Sequence, residues 1–394
     1  MISVQIAVLL LGLIVFLVLC FWFGLIVRLW KMASTKATIC EGLQLTVDPE
    51  ITVSIVVPAH NEERVIDCCV KSLRMQTHQA IEIIFVLDRC SDQTLSILEA
   101  HAKEDSRIRI IENDSCPDNW AGKCNAARLG SEVATGDWIL FADADTKFDA
   151  DLVRCAVASA KKRGASLLSL LSSLTTKNAF EKLVQPVAST YLVRLYPVDR
   201  INRKENPRPF ANGQFLLFER EAYELIGGHY AVKDDLLEDI AFARAIHKAQ
   251  RRVQVLFAEG MLQCSMYPTF QSFKEGWQRI YIEACHRNMR RLRKSALLVI
   301  LMNIVFPFCS IAGLVLGVFH SMPLLIISIA SFMMYFLAVG WLYKMNYAPV
   351  FYTIYAPIGA VIVAKIFWDA AMILACKKPI RWGGREYVLE PTTR

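Results

Sequence analysis

Trp138-Ile-Leu-Phe-Ala-Asp-Ala-Asp-Thr146 sets a short apolar run directly before two aspartates one residue apart. An apolar run this short, opened by Gly136-Asp137 and closed by acidic residues, reads as a buried strand over Trp138–Ala142. In extended chain, residues i and i+2 project to the same side, so Asp143 and Asp145 present their carboxylates together just past the strand. Two hard oxygen donors suit Mg²⁺ or Mn²⁺, which bind through one or two carboxylates and complete their shell with substrate phosphates.

Working outward, the same alternation repeats toward the N-terminus. Ile51–Val57 reads as a strand ended by Pro58, and Glu62–Gln76 as a helix capped by Asn61. Ile81–Leu87 reads as a strand, Ser91–Lys103 as a helix, Arg107–Ile111 as a third strand, and Lys123–Thr135 as a helix stopped at Gly136. Strands alternating with helices predict an α/β fold, a mostly parallel sheet with flanking helices. In such sheets ligands bind beyond the carboxyl ends of the strands, so the loops 58–63, 88–92, 113–123 and 143–145 converge on one polar edge. Neither G-x-G-x-x-G nor G-x-x-x-x-G-K-[ST] occurs, which excludes a nicotinamide dehydrogenase and a P-loop enzyme. Phosphates at this edge would be held through a metal.

Beyond the sheet, the composition divides the chain. Apolar residues make up 54% of it, above the usual soluble range, and charge is distributed unevenly. Residues 1–27 and 295–343 hold no Asp, Glu, Lys or Arg, and 345–376 hold only Lys365 and Asp369. Residues 3–27 predict a retained membrane anchor, since no small-residue cleavage site follows. Residues 296–319 and 323–343 predict a hairpin turning at His320-Ser-Met-Pro323. The stretch 350–376 reads either as a further span or as a re-entrant pair broken at Pro357-Ile-Gly359. Arg28, Lys31 and Lys36 follow the first apolar segment, and Arg287, Arg290, Arg291, Arg293 and Lys294 precede the second, so residues 28–294 are expected on the cytosolic side. The formal charge is +7, but residues 295–394 hold seven Lys/Arg against Asp369, Glu386 and Glu390. The water-soluble block is close to neutral, which argues against a nucleic-acid partner. Twelve cysteines without any C-x-x-C pair read as reduced thiols.

Six motifs fall in order along residues 51–285: Val57-Pro-Ala-His-Asn-Glu-Glu63, Val86-Leu-Asp-Arg-Cys-Ser-Asp-Gln-Thr94, Trp120-Ala-Gly-Lys-Cys-Asn-Ala126, Phe141-Ala-Asp-Ala-Asp-Thr146, Ala211-Asn-Gly-Gln214 and Leu237-Glu-Asp239. Together they resemble family 2 of the inverting nucleotide-sugar glycosyltransferases. Within it, the chain is similar to the membrane-anchored, non-processive branch that glycosylates lipids, such as the hopanoid-associated, carotenoid and ceramide enzymes. The terminal Arg381-Trp-Gly-Gly-Arg-Glu-Tyr387 is similar to the W-x-G-R-x-Y ending of that branch. Two departures are a leucine, Leu87, before Asp88, and Phe273-Lys-Glu-Gly-Trp-Gln-Arg279 where processive synthases carry Q-x-x-R-W.

The resemblance implies a nucleotide-sugar-binding glycosyltransferase A-type fold plus transmembrane helices. It implies that Glu62 and Asp88 hold the base and ribose of a UDP-linked sugar, with Pro58 and Ala59 shaping that pocket. Lys123 would lie near the ribose or diphosphate, Asp143 on the ribose side, and Asp145 on the bridging Mg²⁺ or Mn²⁺; Gly213 of Ala211-Asn-Gly-Gln214 joins the donor set. Asp239 would be the base that deprotonates the acceptor hydroxyl, with Glu238 the alternative. Arg279 would offset charge on the leaving diphosphate, and Trp277 stands beside it in the segment replacing Q-x-x-R-W.

These readings divide the chain into an anchor (1–30), a cytosolic glycosyltransferase domain (31–268), an interfacial amphipathic helix (269–294), a transmembrane bundle (295–376) and a basic tail (377–394). The expected partners are a nucleotide sugar, a lipid acceptor and the membrane. The expected location is the cytoplasmic membrane, or an internal membrane in a eukaryote. A polyisoprenyl-phosphate acceptor and a non-catalytic scaffold that binds nucleotide sugar are the competing readings.

Overall fold

β-branched and aromatic runs form the sheet because their branched side chains pack on both of its covered faces. The computed structural model describes residues 2–203, 205, 207–233, 235, 237–382 and 385–392. Gly383 and Gly384 of the terminal motif above, and Met1, Thr393 and Arg394 of the terminal segments, lie outside the described residues. The strands are β1 (Val53–Ala59), β2 (Ile81–Asp88), β3 (Ile108–Asn113), β4 (Trp138–Ala142), β5 (Thr146–Phe148), β6 (Leu167–Leu171), β7 (Ser173–Leu174), β8 (Phe215–Glu219), β9 (Val253–Phe257), β10 (Leu262–Cys264), β11 (Ile380–Trp382) and β12 (Arg385–Tyr387). Seven of them form one sheet in the order β3-β2-β1-β4-β8-β6-β9. Only β8 runs antiparallel to its neighbours, so the sheet is mostly parallel, as the alternation predicts. The chain winds outward from β1 to β3 and returns to β4 on the other side of β1. That reversal opens a crevice between the carboxyl ends of β1 and β4, where such sheets bind ligands.

Several boundaries differ from the sequence expectation. β1 continues through Pro58 to Ala59, because its pairing with β4 stops at Val56 and leaves a proline without an N–H tolerable beyond that point. The first helix is Ile66–Arg74 rather than Glu62–Gln76, and Asn61 is not its cap: it takes φ 57° and accepts from the Ser91 amide at 2.8 Å. The second is Thr94–Ala102 rather than Ser91–Lys103; Asp92 accepts from the Thr94 amide at 3.0 Å and keeps the loop before it non-helical. The helix Gly122–Val133 lies on β1 and β2 so closely that a Cβ on Gly130 would meet Val56, and would stand 3.0 Å from Val86 Cγ2.

The predicted amphipathic helix over 269–294 is two helices, Phe270–Ala284 and Met289–Ile300, separated where His286 and Arg287 take φ 58° and 53°. Its aromatic side does not face lipid. Phe273, Trp277 and Tyr281, spaced i, i+4, i+8, are buried in a second apolar core, and Tyr281 stacks on Phe367 at 3.7 Å. Turning these rings inward buries more apolar area than an interfacial position could, which is why protein replaces lipid as their partner.

Among the described residues, four helices are long and apolar enough to cross a membrane: Val4–Thr35, Met289–His320, Met322–Met345 and Val350–Ala375. The turn between the second and third falls at Ser321, whose hydroxyl caps the following helix. Pro357 sits in the first turn of Ala356–Ala375 and does not break it, because a proline there removes no intrahelical bond.

Gly130→Ala is expected to lower stability by about 1–3 kcal/mol through overpacking against β1 and β2. Thermal unfolding in detergent checks this, and Val56→Ala in the same chain is expected to recover part of the loss.

Candidate active site

The loops after β1 and β2 are zipped together by their own polar groups. The Glu62 amide donates to Thr94 Oγ1 at 2.9 Å, the Glu63 amide to Asp92 Oδ2 at 3.0 Å, and His60 Nδ1 meets the Asp88 carbonyl at 2.6 Å. Asp88 is buried at the end of β2, gripped by Arg89 through both carboxylate oxygens (2.6 and 3.1 Å) and by Asn113 Nδ2 at 2.9 Å. Pro58, with Lys123, Asp143, Gly213, His229 and Glu238, lines a cavity in the crevice, while Ala59 is buried beside it.

Lys123 is the hub of this cavity. Its ammonium stands 2.7 Å from Asp143 Oδ1 and 2.6 Å from Glu238 Oε1, joining the end of β4 to the start of the helix Glu238–Lys248. Burial pulls the ammonium down, but the two carboxylates outweigh it and hold its pKa above the usual lysine range. Gly213 lies where these groups converge: a Cβ there would be 3.3 Å from both Asp239 Oδ2 and Lys123 Nζ and 3.4 Å from Glu238 Oε1. Its amide donates to Asp239 Oδ2 at 2.8 Å, and the Ile240 amide donates to Oδ1 at 2.7 Å. Burial, and then Glu238 beside it, push the Asp239 carboxyl up to about 7.

A second acidic group faces the crevice. Burial and Asp143 push Asp145 up to about 7, and burial, Asp145, Asp143 and Asp92 push Glu62 up to about 8. Lys123 compensates Asp143, but Asp145 and Glu62 face it and each other with no cation of their own at ion-pair distance among the described residues, an arrangement that a bound cation would relieve. Among the described residues no three His, Cys, Asp or Glu side chains form a complete ligand set. A hard cation would take Asp145, with Asp143, and fill its remaining positions from a ligand's oxygens.

Sequence reasoning missed the support behind Asp145. The Cys264 thiol donates to Asp145 Oδ1 at 3.3 Å, Gln214 Nε2 donates to Cys264 Sγ at 3.0 Å, and Asn212 Nδ2 donates to Gln214 Oε1 at 3.0 Å. Ala211-Asn-Gly-Gln214 thus serves both sides of the site, through Gly213 to Asp239 and through Gln214 to Asp145. His229 was also missed: it is buried on the cavity wall, bound to Tyr223 at 2.6 Å, and pushed down to about 3 by burial, Lys123 and Arg128, so it is a neutral imidazole.

Two candidates from the segment Phe273–Arg279 fare differently from each other. Arg279 lies near the site: the phenol of Tyr267 is pushed up to about 12 chiefly by burial, with Arg279 opposing and Asp145 adding to the rise. Trp277 does not join the acidic groups but packs between Phe273 and Tyr281 at 5.9 and 5.2 Å. Helical periodicity puts it on the buried stripe: where it was expected to act beside Arg279, the structure shows it packed as a core side chain. Gly276 beside it leaves room for the Tyr267 ring.

The C-terminal hairpin adds a contact that the sequence did not assign. Arg385 donates to the carbonyls of Cys116 (2.6 Å), Pro117 (3.0 Å) and Trp120 (2.9 Å), clasping the loop that leads into Lys123.

Residues 54–227 match glycosyl transferase family 2. Among curated proteins, 4,4'-diaponeurosporenoate glycosyltransferase of Staphylococcus haemolyticus is 22% identical over 271 residues, 68% of this chain and 70% of that protein. The glycosyltransferase EpsJ of Bacillus subtilis is 41% identical over 93 residues, but these are 24% of this chain and 26% of that protein. Among solved structures, the mannosyltransferase PcManGT of Pyrobaculum calidifontis, in complex with GDP-Man and Mn²⁺, aligns with TM-score 0.49 and 18% identity, covering 91% of this chain and 99% of that one.

Two outcomes are expected. A carboxyl whose pKa is raised on folding weakens the fold as pH climbs from its unfolded value through about 7, because the folded state binds the extra proton in that window. Asp239→Asn removes the penalty, so its melting temperature should exceed that of the parent at pH 8 and the difference should shrink toward pH 4. Arg385→Ala should speed amide exchange across residues 116–122, costing about 1–3 kcal/mol of local opening free energy, with Arg385→Lys intermediate because it lacks the planar fork.

Proposed function

We propose that the chain, whose residues 54–227 match glycosyl transferase family 2, transfers one sugar from a nucleotide sugar, UDP-linked, to the hydroxyl of a membrane lipid, with inversion at the anomeric carbon. The observation that carries this reading is the convergence at Gly213 of Asp239, Glu238 and Lys123, facing Asp143 across one crevice. The catalytic domain faces the cytosol, where a nucleotide sugar is available.

The roles divide by what each group already holds. Glu238 is occupied by Lys123 at 2.6 Å, whereas Asp239 accepts only backbone amides and titrates near neutral pH. Asp239 is therefore the base: its free lone pair takes the acceptor hydroxyl's proton as that oxygen attacks the anomeric carbon. The bond from that carbon to the diphosphate breaks on the opposite face. Asp145 and Asp143 would hold Mg²⁺ or Mn²⁺, which would supply electrostatic stabilisation of the departing diphosphate. Lys123 adds its own positive charge on the same side, and Arg279 lies near Asp145 through Tyr267. Glu62, Asp88, Pro58 and Ala59 bound the nucleoside end of the crevice. A lipid acceptor suits a domain fused by a shared core to apolar helices, and the 22% identical relative is named for the glycosylation of a carotenoid.

The test is incubation of membranes containing the chain with a panel of UDP- and GDP-sugars, followed by mass analysis of the lipid extract. A hexosylated lipid is expected; no sugar on any lipid with any donor overturns the reading. Excess chelator should abolish turnover and Mg²⁺ or Mn²⁺ should restore it, with Asp145→Ala losing the larger share of activity. Asp239→Asn should keep donor binding while turnover falls roughly 10²–10⁴-fold. A dead Glu238→Gln beside an active Asp239→Asn would exchange the two roles.

A further inference from the structure

We propose that the C-terminal helix Ala356–Ala375 lies along the membrane surface rather than across it, so that the chain crosses three times and rests on the acyl boundary through a fourth, in-plane helix. The inference concerns this helix alone and does not depend on the transfer chemistry. Length and hydropathy make it a span; its contacts do not.

Both ends of the helix rest on the same soluble domain. Before it, Tyr343 donates to the Leu183 carbonyl at 3.1 Å, and the Tyr347 carbonyl accepts from Thr176 at 3.2 Å. In its first turn, Gly359 abuts the Leu183 carbonyl. Beyond it, Arg385 holds the carbonyls of Cys116 and Trp120, and the Thr392 amide donates to the Arg287 carbonyl at 3.0 Å. A 20-residue helix is about 30 Å long, enough to reach the far leaflet, and one that crossed would carry the tail away from Cys116 and Arg287.

The middle of the helix sits at the wrong depth for a span. Asp369 pairs with Lys274 at 3.0 Å, Trp368 lies 5.7 Å from the Arg293 guanidinium, and Phe367 stacks on Tyr281. Lys274, Tyr281 and Arg293 belong to the segment just before the second apolar helix enters the bilayer, where basic residues meet headgroups. A crossing helix would hold its centre about 15 Å from either headgroup layer. Its packing neighbours are Met289–Ile300 and the turn Leu301–Val305 that follows it, Phe270–Ala284, Gln185–Leu195, Ala179–Leu183 and the preceding turn Val350–Tyr355, whereas Ile2–Thr35, Phe306–His320 and Met322–Met345 pack on one another.

The face turned away from the protein suits a lipid boundary. Ile358, Val361, Trp368 and Met372 are exposed along one stripe at i, i+3, i+10, i+14. Lys365 falls in the same stripe, exposed and paired with Asp369 at 3.1 Å, where a long stem can carry its charge to the headgroups. The occupant of this stripe is the bilayer that the three crossing helices already enter, since the helix packs on Met289–Ile300, whose chain runs on into the second of them. The arrangement also returns Lys377 and Lys378 to the side of Arg28 and Lys31, in keeping with the basic-residue bias that a fourth crossing would break.

The test uses the full chain with Cys20, Cys68 and Cys376 replaced, reconstituted in nanodiscs. Nitroxides are attached at Ile358→Cys, Val361→Cys and Met372→Cys, exposed positions whose change leaves the buried face intact. Power saturation should place all three at similar, shallow depths, within about 5–10 Å of the headgroup boundary. A depth that rises to the bilayer centre near 361–368 and falls again overturns the proposal. In sealed vesicles, an impermeant maleimide should reach Glu386→Cys from the same side as Glu132→Cys on the soluble domain. Labelling of the two from opposite sides overturns it independently of the depth measurement.

Discussion

The Lys123 ammonium, 2.7 Å from Asp143 and 2.6 Å from Glu238, is the contact around which the site is organised. It ties the end of β4, at the reversal point of the sheet, to the first turn of the helix Glu238–Lys248, nearly a hundred residues later in the chain. Partly buried ion pairs add little net stability, because desolvation offsets the attraction, yet removing one member leaves charges stranded at a cost of about 3–5 kcal/mol. The value of the contact is therefore positional. With Lys123 in place, Asp145 and Asp239 come to face one crevice although each would repel its acidic neighbour. Burial first, and the acidic neighbour second, raise both carboxyls above the usual range, and such groups concentrated in one crevice make it the candidate site.

A second constraint fixes this crevice relative to the apolar helices. The stripe Phe273, Trp277, Tyr281 belongs to the soluble side and Phe367 to the C-terminal helix, and they share one buried core. The hairpin β11–β12 then reaches back so that Arg385 clasps the loop leading into Lys123. Catalytic loop, tail and membrane-associated helices are coupled by direct contact rather than by a flexible linker. A domain held in this way keeps its crevice at one height and one orientation relative to the apolar helices.

Much of the architecture was legible in residue order. Period-2 and short apolar runs located the first four strands of the sheet to within two residues, because a strand buried on both faces has no choice but to be continuously apolar. Ordered motifs located Lys123, Asp143, Asp145, Gly213, Glu238 and Asp239, and the fold brings them to one cavity or its rim. Where the reading failed, a tertiary partner had replaced a local one. Asn61 has the chemistry of a helix cap but spends its oxygen on Ser91. Phe273, Trp277 and Tyr281 have the amphipathic spacing of an interfacial helix but bury against protein. Gln214 and Cys264, which support Asp145, carry no local signature, since their roles exist only once β10 is placed beside that loop.

Sequence order alone therefore established an α/β sheet with an acidic carboxyl edge, apolar segments at both ends, and the residue types the chemistry needs, because these follow from periodicity and short spacings. It could not establish which carboxylate is spoken for by Lys123, which aromatic face meets protein, or where the helix Ala356–Ala375 rests. Those outcomes depend on contacts such as Glu238 with Lys123 and Asp369 with Lys274. Their partners lie roughly a hundred residues apart, and apolar residues bury equally well in lipid or in protein. Only the folded packing, which gives each buried group one particular neighbour, selects between them.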